Sequence, residues 1–294
     1  MEMIFGISSQ ALLGQLVIGL INGAFYAMLS LGLAVIFGLL NIINFAHGAQ
    51  YMMGAFCSWF LLNWLGVGYW PSLVLAPLAV GLFGILLEKV FLKRIYRLDH
   101  VYGLLLTYGL ALMIESVFRW RFGSSGQPYA IPELLRGGQD LGILYLPNYR
   151  AWVIVFSLFL CVATWFLIER TRLGSYLRAA TENPTLVRTF GINVPRMVTL
   201  TYGFGAALAA LAGVMAAPIY QVSPLMGSHL IIVVFAVVVI GGMGSISGAI
   251  VAGFSVGLVE GLTKVFYPEA SSTIIFILMA IVLLLRADTS ERIA

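Results

Sequence analysis

Charge is what this chain has least of. Only 10% of its 294 residues are Asp, Glu, Lys or Arg, where a soluble domain carries roughly 25%. So few charges cannot cover a water-facing surface, which excludes an ordinary soluble domain. Cysteine is nearly missing as well. Cys57 and Cys161 both lie in apolar runs, so no disulfide framework is implied. There is no G-x-x-x-x-G-K-[ST] loop for a nucleotide, no HExxH, no Cys/His metal spacing and no serine in a nucleophile-elbow context. His47, His100 and His229 are far apart in sequence. The expectation is a chain with no catalytic residue, no metal and no cofactor of its own. No Lys or Arg precedes the first apolar run, which argues against a cleaved signal peptide.

What fills the chain is apolar sequence: 61% hydrophobic, with mean hydropathy +1.01. The runs are helix-sized rather than ten-residue alternating segments, which favours helices over a β-barrel. A span needs about 20 apolar residues. Candidates are 11–40 (one long tilted helix or two short ones), 48–65, 72–92, 102–118, 150–168, 197–217, 229–243, 246–266 and 273–286. The expected fold is all-α, a polytopic transmembrane bundle of eight to ten spans with broken helices, residues 1–294 forming one domain.

Basic residues orient it. Lys89, Lys93, Arg94 and Arg97, then Arg170, Arg172, Arg178, Arg188 and Arg196, then Arg286 and Arg292 make eleven of the sixteen Lys and Arg. All fall on one side of this topology, the cytoplasmic side by the positive-inside rule, with the C-terminus. Orientation explains the basic pI better than nucleic-acid binding does. Residues 120–149 then form the main external loop, with Trp120, Tyr145, Tyr149 and Trp152 as candidate interface anchors.

The cytoplasmic segment 169–196 is long for a simple connection. In "TENPTLVRTFG", Asn183 is placed to cap a short helix, Pro184 suits its first position and Gly191 the residue past its end. A second short helix, about 173–181, precedes it. Leu186, Val187 and Phe190 form an apolar side. The segment reads as a docking knob for a cytoplasmic partner or as an amphipathic element resting on lipid.

Inside the spans, Glu115 and Arg119, and Glu260 and Lys264, are spaced to neutralise each other along their own helices. This lowers the prospect of a proton-driven carrier. Small-residue ladders, Gly205-Ala209-Gly213-Ala217 and Gly253-Gly257-Gly261, read as close helix packing.

Two stretches interrupt the apolar pattern with glycine and small polar groups. One, "GLLNIINFAHGAQYMMGAF", holds Asn41, Asn44, His47, Gly48 and Gln50. The other, "VVVIGGMGSISGAIVAGF", holds Gly241, Gly242, Gly244 and Ser245. Broken helices in a bilayer persist only where protein buries them or where they line a wet cavity. The first group either lines a translocation path or satisfies the broken backbone and locks helices together. In the second, packing or hinge motion is the readier role.

These stretches, together with "LGSYLRAATENPTLVRTFGINVPRMVTLTYGFGAALAALAGVMAAP", resemble the permease subunits of branched-chain amino-acid ABC importers of the LivH type, in order and over nearly the whole chain. "INFAHG" and "GGMGSISGA" carry the likeness most specifically. The resemblance implies a bacterial inner-membrane permease working with a second related permease, two cytoplasmic ATPases that bind ATP and Mg, and a periplasmic binding protein. Glu182, Asn183, Pro184, Arg188 and Gly191 fall on the coupling region that docks into the ATPase. Similar permeases serve urea, short amides or aromatic acids, and a gradient-driven carrier or channel is the competing class.

Overall fold

A computed structural model describes residues 3–4, 7–40, 42–96, 98–142 and 144–291. Asn41, Arg97 and Arg292 lie outside the described residues. Among the described residues, eleven α-helices carry the chain. The two-residue strands β1 (Met3–Ile4) and β2 (Ile7–Ser8), paired antiparallel, lead into α1 (Ser9–Leu40). Then come α2 (Ala46–Leu65), α3 (Tyr69–Val90) and α4 (His100–Phe122). A connecting segment holds the antiparallel pair β3 (Gly138–Asp140) and β4 (Tyr145–Pro147), followed by α5 (Asn148–Glu169). The short helices α6 (Arg172–Glu182) and α7 (Pro184–Thr189) precede α8 (Val194–Tyr220), α9 (Met226–Gly241), α10 (Ile246–Phe266) and α11 (Ile274–Glu291).

The helix ends follow local chemistry. Asp99 caps α4 by accepting from the Val101 amide at 3.0 Å, and Asn193 caps α8 by accepting from Arg196 at 3.1 Å. Gly66, past the end of α2, and Gly123, past the end of α4, have positive φ, as residues that stop a helix often do.

Among the described residues, six helices (α1, α3, α4, α5, α8 and α10) are long and apolar enough to cross a membrane by length and composition. The helix α2 has 20 residues but is not among the six, and α9 and α11 are shorter apolar helices. The first candidate span is one helix of 32 residues, about 48 Å long.

Burial sorts these helices into two groups. The most hydrophobic windows of α1 and α8 are 83% buried, whereas that of α4 is 17% buried. So α1, α2 and α8 form the centre, and α3, α4 and α5 turn bare apolar residues outward, among them Leu82, Met113 and Phe159. Small residues make the centre close-fitting. Along α10, Gly253, Gly257 and Gly261 rest on the α1 backbone at Ala27, Gly23 and Gly19. Along α8, Gly213 rests on the α2 backbone at Tyr51. The ladders are packing surfaces, as the spacing predicts.

Two expectations change in the fold. Tyr149 is not an interface anchor: it is 1% exposed, and its hydroxyl donates to the Met215 carbonyl at 2.8 Å, beside the Tyr69 hydroxyl. Trp120 and Tyr145 are exposed and Trp152 is half-buried. The apolar side of 184–190 also divides. Val187 is buried with Ala180 and Val194, while Leu186 and Phe190 stand in the open.

Candidate functional site

The first interruption is a true break. α1 ends at Leu40, residues 42–45 are non-helical, and α2 starts at Ala46. The new helix begins part-way up the bundle. His47, in its first turn, meets Leu29, which lies eleven residues before the end of α1, about 16 Å along the helix.

A break strands backbone groups that must be satisfied. Thr107 of α4 does this. Its hydroxyl accepts from the Phe45 amide at 3.2 Å and lies 3.1 Å from the Ile43 carbonyl, with the Leu104 carbonyl equally near as the alternative acceptor. The sequence reading missed Thr107. A lone threonine in an apolar helix gives no sign that it serves a loop more than sixty residues earlier.

The polar side chains of the break gather between α1, α2 and α8. The His47 ring is fully buried, and its Nε2–H donates to the Leu29 carbonyl at 3.0 Å. That bond fixes the neutral tautomer, with an acceptor lone pair at Nδ1. The ring lies against Gly32, where an added Cβ would sit 2.9 Å from it. Gln50 Nε2 donates to the Tyr202 hydroxyl of α8 at 3.2 Å. Asn44 is 1% exposed. His47 Nδ1, Gln50 Oε1 and both polar atoms of Asn44 are buried without a hydrogen-bond partner among the described residues. Such atoms are costly and call for an explanation. Part of it is close at hand, because Gln50 lies beside the His47 ring. Turned end for end, its amide would donate to Nδ1 and accept from Tyr202, satisfying both. Asn44 lies beside the Tyr202 hydroxyl too, without closing a hydrogen bond to it. Gly48 serves a close approach: its Cβ would lie 2.8 Å from the Gly227 carbonyl of α9.

The second interruption is of another kind. Gly242 and Gly244 have φ of 97° and 83°, which glycine adopts without steric cost. The Ser245 side chain caps α10 by accepting from the Gly248 amide at 3.1 Å. Arg286 of α11 closes the end of α9, donating to the Val239 and Ile240 carbonyls at 3.0 and 2.9 Å. Gly241 and Gly248 pack backbone to backbone. The two interruptions do not meet. The first rests on α1 at Leu29 and Gly32, the second on α1 at Gly38.

The coupling candidates lie at the Gly38 end. The Asn183 side chain caps α7 by accepting from the Leu186 amide at 3.0 Å, Pro184 opens that helix, and Gly191 beyond it has φ 80°. Glu182 and Arg188 are exposed. The preceding helix lies against the bundle: the Thr181 hydroxyl is 3.1 Å from the Gly38 carbonyl, with the Leu177 carbonyl of its own helix nearer at 2.9 Å as the alternative acceptor, and Arg178 pairs with Glu169 at 3.1 Å. Arg188 also borders a cavity of about 470 Å³ together with Glu88, Lys93, Arg94 and Tyr96. Burial and the neighbouring Glu88 carboxylate, which accepts from it at 2.6 Å, push the Tyr96 hydroxyl pKa well up.

At the opposite end, above the His47–Leu29 contact, a cavity of about 320 Å³ opens between α1, α2 and the start of α9. Asn22, Tyr26, Tyr51, Tyr220, Ser223 and His229 supply its polar lining. Behind it, Glu260 accepts from Tyr26 at 2.7 Å and from Asn22 at 3.4 Å and pairs with Lys264 at 2.5 Å. Glu115 and Arg119 pair on α4 in the same way. Both neutralising pairs are therefore made as the spacing predicts, and Glu260 has further partners.

The family model described as "Branched-chain amino acid transport system / permease component" matches residues 15–283. The chain belongs to this permease family. Its sequence is 30% identical to the high-affinity branched-chain amino acid transport system permease protein BraD of Pseudomonas aeruginosa, covering 93% of this chain and 94% of that protein. It is 28% identical to the LivH permease of Escherichia coli K12, covering 92% of each. It is 29% identical to the LivM permease of Salmonella typhimurium over 77% of this chain and 58% of that protein. No solved structure matches. Within this permease both interruptions and the α6–α7 segment fall inside the matched region.

Proposed function

We propose that this permease is the membrane subunit of an ABC importer that moves branched-chain amino acids across a bacterial inner membrane. It works with a second, related permease and two cytoplasmic ATPases, which bind ATP and Mg, and it receives solute from a periplasmic binding protein. The likeness to both LivH and LivM supports a second permease. The basic segments, including α6–α7 and Arg286, face the cytoplasm, and the 320 Å³ cavity faces outward.

The observation that carries this reading is the continuity of α1. One unbroken helix bears the cavity wall at Asn22 and Tyr26, the contact with His47 at Leu29, and the tie to Thr181 at Gly38. Force applied by an ATPase at α6–α7 reaches the polar layer beneath the cavity through this helix. In that layer the His47–Leu29 bond and the Ser30 hydroxyl, 3.4 Å from the Val234 carbonyl, hold the inner path shut.

The test is a pull-down of the tagged chain in nanodiscs, paired with leucine uptake, for wild type and for the double variant Glu182→Lys, Arg188→Glu. Wild type is expected to bring down a P-loop ATPase and a second permease, and the variant to lose the ATPase and uptake while staying in the membrane. Recovery of the chain alone, still transporting in liposomes without ATP, would replace this reading with a gradient-driven carrier.

A further inference from the structure

Where α3 and α8 reach the basic face of the bundle, three cations border one hollow. Lys93 and Arg94 lie on the 3₁₀ turn Leu92–Arg94 that follows α3, and Arg188 lies in the last turn of α7. All three line the cavity of about 470 Å³. None of them has an ion-pair partner among the described residues, whereas Arg119, Arg136, Arg178 and Lys264 each meet a carboxylate. Three unpaired cations around one cavity repel each other and favour an anion between them.

The acid in the wall is already held. Glu88 is 1% exposed, and its two oxygens accept from the Tyr96 hydroxyl at 2.6 Å and from the Thr199 hydroxyl at 2.7 Å. Thr199 has the Pro195 carbonyl farther off, at 3.0 Å. Those bonds hold Glu88 in the wall, so the hollow keeps an excess of positive charge. Its position says which anion it meets. The apolar span that begins at Tyr69 runs to Arg94, so the cations stand at the level of the lipid headgroups. Val194, Pro195 and Val198 give the cavity an apolar side. On α3, Leu82, Leu86 and Val90 are exposed one turn apart, a bare track that ends three residues before Lys93. A basic hollow at headgroup level beside an apolar track fits a molecule with a phosphate at one end and a hydrocarbon tail at the other.

We propose that this cavity seats the phosphate of an anionic phospholipid of the cytoplasmic leaflet, its tail lying along Leu82, Leu86 and Val90. Seated there, the phosphate stands between the end of α3 and Arg188 of α7. It holds the coupling segment against the bundle where no protein carboxylate does so. The proposal rests on the orientation used in the importer reading, not on the solute.

The full chain in detergent is titrated with phosphatidylglycerol, with phosphatidylcholine of the same tails, and with glycerol phosphate. Native mass spectrometry reads which lipid is retained. Wild type is expected to keep phosphatidylglycerol in clear preference to phosphatidylcholine. Lys93→Ala with Arg94→Ala should weaken phosphatidylglycerol about thirtyfold, at roughly a factor of five for each cation near a membrane surface, while Lys93→Arg keeps it. Arg188 stays untouched, because the importer reading also uses it. Removing two cations elsewhere on the same face, by Arg170→Ala with Arg172→Ala, should leave retention nearly unchanged. Equal retention of the two lipids by wild type overturns the site. Equal losses in the two double variants do so as well, since they would mean diffuse attraction by a basic face. Displacement of the lipid by glycerol phosphate would assign the cavity to a soluble phosphate ester and overturn the lipid occupant. Orientation is read separately, by labelling Lys93→Cys with an impermeant maleimide in right-side-out vesicles, with wild type as the blank. Labelling from outside, with lipid selectivity intact, would overturn the orientation and leave the phosphate site standing.

Discussion

The two interruptions look alike in sequence and are built on opposite plans. The second is closed by its own residues and one neighbour. Ser245 caps α10, glycines take the positive φ angles, and Arg286 meets the exposed carbonyls of α9. The first is closed by remote helices: Thr107 from α4, Leu29 from α1 and Tyr202 from α8. It also leaves the buried polar atoms of Asn44 without a hydrogen-bond partner among the described residues, and pairs those of His47 and Gln50 only when the Gln50 amide is turned. A locally closed turn behaves as a rigid corner. One held by several separate helices changes whenever those helices slide, and its spare polar atoms are what a second arrangement would use.

That contrast can be broken or sharpened by substitution. The largest effect belongs to the rigid corner. An added Cβ at Gly248 would lie 1.9 Å from the Gly241 carbonyl oxygen, so Gly248→Ala should cost at least the upper end of the usual 1–3 kcal/mol for overpacking. Thermal unfolding in detergent reads this out, and a melting point equal to wild type would show the corner to be soft. Next is Thr107→Val, similar in shape but unable to serve Phe45 and Ile43. A loss of about 1–3 kcal/mol is expected from the stranded backbone, with the break becoming susceptible to hydrogen exchange. Unchanged protection at residues 42–46 would mean that something else closes it.

His47→Leu should then reduce uptake about tenfold, the worth of one hydrogen bond to the closed layer, while the complex still assembles. Unaltered kinetics would remove His47 from the mechanism. The smallest effect is Ser245→Ala, expected to cost about 1 kcal/mol as a lost cap with uptake intact. A transport defect there at normal stability would mean that the second interruption moves after all.

Both interruptions were legible as sequence because glycine and polar residues stand out against 61% apolar background. So were the helix at 184–189, from its Asn-Pro start and its glycine stop, and the two intrahelical ion pairs. What sequence could not supply were partners far away along the chain. Thr107 and Tyr202 look like ordinary residues of apolar helices until the fold places them against the break. The cavity was equally hidden, because Asn22, Tyr51 and Tyr220 come from three helices with no shared motif. The inward turn of Tyr149 was misjudged for a related reason. An aromatic residue near the end of a span suits either the interface or the core, and only the nearby Met215 carbonyl decides between them.

On the importer reading proposed above, the unbroken length of α1 sets how small a working stroke can be. The bond from His47 to Leu29 is 3.0 Å long, and such a bond has largely failed beyond about 3.5 Å. A slip of about half an ångström along the line of that bond, a third of the 1.5 Å rise of one residue, is enough to release it. Gly38 sits nine residues below Leu29 on the same rod, so that slip arrives undiminished. A latch of this kind needs no large swing of α6–α7 to let go.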